Sequence, residues 1–153
     1  MFDAPSDLPL VWLGLALVSV AVAGVAVGLP TAPPPDATHV AAQIDRVAAS
    51  DHTAVTELRL GADRIRLRSG AVALESDGVR AHASLRYGPV TPVSGGDLDA
   101  VLHGAAPEAM YASPRAFARA AARARVGSGW RPAPETLVVR HVTWGETDVT
   151  LVG

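Results

Sequence analysis

The sequence predicts an α+β domain carried behind one membrane-spanning helix. Three observations predict it. No residue between Asp7 and Asp36 is ionisable, and most of that stretch is apolar. Two later stretches carry apolar residues at helical spacing behind good N-caps. Short alternating segments lie between and after them, punctuated by turn residues such as Asp77-Gly78.

The 153 residues fit one ordinary domain, or a smaller domain plus an anchor. The expected division is a short tail over 1–7, a transmembrane helix over 8–30, a proline-rich spacer over 31–35 and a soluble domain over 36–153. A domain of that size buries a core without staples. There is no cysteine, which excludes disulfides and thiolate metal sites. All 13 basic residues are arginine, a skew that reflects GC-rich codons and not chemistry. The net charge of −2 comes from Asp3 and Asp7; past Thr31, acids and arginines balance. A formally neutral domain without a recognition motif has no bulk attraction for nucleic acid, and no such partner is expected.

Taken in order, the anchor comes first. Its core is Leu10 to Leu29, and these 20 residues span about 30 Å as a helix, the thickness of a bilayer's hydrocarbon. Its leucines and valines favour insertion by roughly 0.3–0.6 kcal/mol each. Trp12 stands where an interfacial aromatic belongs, and Pro30 with Pro33, Pro34 and Pro35 ends the helix. The rival reading is a cleaved secretory signal. Ala21-Val22-Ala23 fits a cleavage pattern, but no Lys or Arg precedes the run and the run is too long. Gly24 and Gly28 form a GxxxG face suited to helix packing and to a homo-oligomer through this segment. Arg46 alone bears on orientation, so the residues leave the side of the membrane open.

In the soluble domain, Asp36 caps a helix to about Ala49 with Val40, Ile44 and Val47 on one face. Strands are expected over 54–60, 64–68, 71–75 and 79–87, the last two joined by a type I′ turn at Asp77-Gly78. Gly88 to Pro92 breaks the sheet, and 97–103 forms a short helix. Ser113-Pro114 opens a second main helix to about Val126. A last hairpin covers 136–144 and 147–152. The sum is two main helices packed on one antiparallel sheet.

Two arginine stripes stand out. Arg64, Arg66 and Arg68 share one strand face, while Ile65 and Leu67 turn inward. Arg80, His82 and Arg86 share a face of a nearby strand. If those faces coincide, the sheet carries a basic surface for an anionic partner or lipid headgroups; the plainer reading is a solvated face. The second stripe, Arg115, Arg119 and Arg123, lies along one helix side. Trp130 and Trp144 are expected in core or hairpin packing. The five histidines show no metal-ligand spacing, and no nucleophile elbow or phosphate loop is present. No catalytic residue, metal or cofactor is expected, and the protein is not expected to be an enzyme.

The strings WLGLALVSVAVAGVAVGLPTAPPPDA, YGPVTPV and WRPAPETLVVRHVTWGETDVTLVG resemble a family of uncharacterised small membrane proteins of halophilic archaea, over nearly the whole chain. The resemblance implies an association with pilus or secretion-like components. The resemblance implies an extracytoplasmic domain, partners among membrane or appendage proteins, and a pilin-like or accessory role. The chain departs from the pilin pattern at its start, where Asp3 and Asp7 replace a basic leader, so no processing site is named. The leading expectation is thus a membrane-anchored structural or accessory protein. The alternative is a membrane-tethered binding or sensor domain using its arginine-rich face.

Overall fold

Strict alternation in one strand and doubled apolar character in others divide the β-structure into two layers. The computed structural model describes residues 34–127 and 129–153. In chain order the elements are α1 (Ala37–Ala48), β1 (Ala54–Arg59), β2 (Arg64–Arg68), β3 (Ala71–Ser76), β4 (Val79–Ser84), β5 (Val90–Pro92), α2 (Asp97–Leu102), α3 (Pro107–Met110), α4 (Pro114–Ala124), β6 (Arg131–Pro132), β7 (Thr136–Trp144) and β8 (Thr147–Val152). The expected span over 8–30, with its Gly24 and Gly28 face, lies outside the described residues. Among the described residues no helix is long and apolar enough to cross a membrane.

The first sheet has the order β1-β7-β8-β5, antiparallel except that β5 runs parallel to β8. The second is an antiparallel sheet in the order β4-β3-β2-β6. Helix α1 packs against β3 and β4 of one sheet and β1 and β7 of the other. Asp36 accepts a 2.8 Å bond from the His39 N–H and so satisfies an otherwise free helix donor. Ile44, Ile65, Val72, Leu137 and Val139 are fully buried in the core around this helix.

The first sheet is covered on its other face as well. There Phe117 of α4 and Val101 and Leu102 of α2 pack on Val142, Val149 and Leu151. Phe117 lies between Tyr111 and Trp144, with ring centroids at 5.4 and 6.4 Å. Strands buried on both faces carry apolar residues at odd and even positions alike. In β7 Leu137, Val139 and Val142 show this, whereas β2 alternates strictly because only one of its faces is covered.

Several expectations need correction. There are two sheets, not one, because the chain crosses between layers at β1–β2, β4–β5, β5–β6 and β6–β7. Such long-range pairing leaves no local trace in the pattern. Strand β4 stops at Ser84, short of Tyr87, because the Asp45 carboxylate accepts the backbone N–H groups of Arg86 and Tyr87 at 2.9 and 3.0 Å. The segment read as a break contains β5, anchored where the Val90 N–H donates to the Ser69 carbonyl at 2.9 Å. Gly88 makes that crossing close, since a Cβ there would stand a tight 3.0 Å from the same carbonyl oxygen. Helix α4 ends at Ala124, and α3 and β6 were not expected. The Asp77-Gly78 turn has positive φ at both residues, 49° and 77°, as a type I′ turn demands.

Candidate functional site

The register of the second sheet brings most of the predicted arginines together. Three cross-strand rows run over its outer face: Arg64, Glu75 and Arg80; then Arg66, Ala73 and His82; then Arg68, Ala71 and Ser84. Ile65 and Leu67 fall between them and point to the core, so alternation alone drives every arginine of β2 outward. Four arginines against one glutamate leave a net charge of +3 on this face, within a chain of net charge −2.

The two ends of the face differ. At one end Glu75 accepts a bond from Arg80 Nε and pairs with Arg64 at 3.5 Å. The bond from Arg80 is the main cause that holds the Glu75 carboxyl below its ordinary 4.5; partial desolvation opposes it. Trp130 lies over this end. The guanidinium carbons of Arg64, Arg66 and Arg80 stand 5.7, 5.0 and 5.4 Å from its ring centroid. Exposed cation–π contacts of this kind contribute about 0.5–1 kcal/mol each and hold the side chains in place.

At the other end a trough of about 180 Å³ has Ala71 and Ala73 as its floor and Arg66, Arg68 and His82 as its walls. The two alanines make it, because any larger residue in the middle strand would fill it. Arg66 and Arg68 have no carboxylate partner among the described residues. Planar guanidinium groups beside an open floor suit a phosphate or carboxylate, which they bind through paired N–H donors.

Arg86 does not join the face. It lies beyond β4, its N–H held by Asp45 of α1. Arg115, Arg119 and Arg123 form an exposed stripe on α4, opposite buried Phe117 and Ala121. Gly24 and Gly28 lie outside the described residues. Trp144 packs on Phe117, but Trp130 is not a core residue; it caps the arginines. Its role had only a two-residue signal, Arg131-Pro132, which pairs with Arg64 and Ile65. His141 is buried, its Nδ1 3.0 Å from Thr150 Oγ1, while His39, His52, His82 and His103 are exposed. Among the described residues no three acidic or histidine side chains converge as metal ligands.

No curated protein and no solved structure matches the chain. Residues 3–142 match a family of unknown function, DUF7283, and the chain belongs to that family.

Proposed function

We propose that this DUF7283 member is a membrane-tethered binding module whose second sheet docks an anionic group, phosphate or carboxylate, on its partner. The observation that carries the reading is the trough: Arg66 and Arg68 stand without a described carboxylate beside His82 over an alanine floor, while Glu75 occupies the neighbouring arginines. The tether is the apolar run Leu10–Leu29. The resemblance to small membrane proteins of halophilic archaea supports a single-pass anchor and an extracytoplasmic domain.

A structural or accessory role beside a surface appendage or secretion system is the second reading. The chain order favours it, with α1 packed on a β-sheet directly after the apolar run. Pro30, Pro33, Pro34 and Pro35 weigh against a filament subunit, since they break any continuous helical spine.

The test is a titration of the full chain in lipid nanodiscs with inorganic phosphate and with a glutamate-rich peptide. Arg66 and Arg68 Nε–H signals are expected to shift in NMR. The double variant Arg66→Ser/Arg68→Ser is expected to bind at least about tenfold more weakly. Arg115→Ser/Arg119→Ser is expected to bind normally. Equal binding by the wild type and the Arg66/Arg68 variant would reduce the face to solvation. Protease protection in vesicles reads the side of the membrane; a cytoplasmic domain would remove the appendage reading and leave the binding module.

A further inference from the structure

A second cleft, of about 490 Å³, opens between the C-terminal end of α4, strand β5 and the edge of the second sheet. Its lining is half apolar and half polar, with Leu67, Val93, Leu98 and Trp130 making up one apolar side. Gly127 and Gly129 put no side chain in the way. One charged residue lines it, Arg131.

Arg131 pairs with Ile65 in the sheet register, so its side chain turns to the core side and away from the arginine face. Its Nη1 donates to the Val93 carbonyl at 2.7 Å. Its Nη2 is buried and has no hydrogen-bond partner, the one such side-chain atom among the described residues. No described carboxylate lies within ion-pair distance. Burial lowers the guanidinium's proton affinity, and no acid offsets it. Arg125, just past α4, reaches β5 next to Val93, its Nε 3.0 Å from the buried Thr91 hydroxyl, also without an acid partner among the described residues. A desolvated guanidinium with a free donor is costly unless an anion completes it.

We infer that this cleft binds a small organic anion, an oxyanion head on an apolar body. The head pairs with Arg131, and the body lies along Leu67, Leu98 and Trp130. The volume suits a small ligand of that kind. The site is distinct from the trough: Arg131 and Arg66 face opposite sides of the sheet, and only Trp130 borders both regions.

The full chain in lipid nanodiscs is titrated with phenylacetate, acetate, inorganic phosphate and uncharged phenylacetamide, reading the Trp130 indole N–H by NMR. Phenylacetate is expected to bind at least about tenfold more tightly than each of the other three, because only it has both head and body. Arg131→Gln is expected to abolish that preference. Gly129→Leu places its Cβ where nothing lies within 4 Å, so the fold tolerates it, yet its side chain occupies the cleft. It is expected to block phenylacetate with Arg131 intact, which keeps the test decisive should Arg131→Gln unfold. Arg68→Ser, at a residue that lines the trough without stacking on Trp130, is expected to leave phenylacetate binding unchanged, separating this inference from the proposed function. Equal binding of phenylacetate and phenylacetamide, undiminished binding in Gly129→Leu, or no phenylacetate response up to about 10 mM each overturns it.

Discussion

The outer faces of the two sheets are opposites. On the first sheet the outward positions Val142, Val149 and Leu151 lie under Phe117, Val101 and Leu102. On the second sheet the outward positions include Arg64, Arg66, Arg68, Arg80 and His82 beside Ala71, Ala73, Glu75 and Ser84, and among the described residues no helix covers them. The inner faces of both are alike, apolar and packed around α1. The contrast therefore resides in every second residue of a few strands. One face contributes stability by burial; the other leaves charge in water, where it adds little to the fold and is free to meet a partner.

Breaking the covered face should have the largest effect. Phe117 is fully buried between two aromatic rings, so Phe117→Ala is expected to lower unfolding free energy by about 3–5 kcal/mol in denaturant titration. Next comes the joint between layers. Asp45→Ala hands the exposed N–H groups of Arg86 and Tyr87 to water and is expected to cost about 0.5–1.5 kcal/mol, read the same way.

Much of this contrast is legible in the residues alone. Arg64-Ile65-Arg66-Leu67-Arg68 states its own two faces, because a strand's side chains alternate. Asp36, Asp77-Gly78 and Ser113-Pro114 mark element ends through chemistry that acts over a few residues. What stays hidden depends on distant partners. The division into two sheets, the parallel pairing of Val90–Pro92 with β8 and the reach of Asp45 to Arg86 join residues far apart in the chain. The same holds for the trough. Its arginines are visible, but its floor and the neutralising position of Glu75 follow only from the register of β2, β3 and β4. Arg131 sits on a two-residue strand too short to show a period, and Trp130 lies just ahead of it.

A smaller effect sharpens the bare face itself. The folded Glu75 carboxyl has a lowered pKa, so its contribution to stability is present above its ordinary 4.5 and is lost as pH falls through the folded value. Glu75→Gln is expected to flatten the pH dependence of unfolding free energy between the folded value and 4.5 and to leave the slope unchanged near neutrality. An acid titration of both proteins checks this; identical slopes would mean that Arg64 and Arg80 do not favour the ionised form.

On the proposed reading, the arginine trough serves binding and not stability. The most direct measurement is the thermal unfolding of the full chain with and without inorganic phosphate, for the wild type and for Arg66→Ser/Arg68→Ser. Without phosphate the two melting temperatures are expected to agree within about 5 °C, because only the Arg66–Trp130 contact is lost. Phosphate is expected to raise the wild-type melting temperature by linkage and to leave the variant's where it was. An equal rise in both proteins would contradict the account.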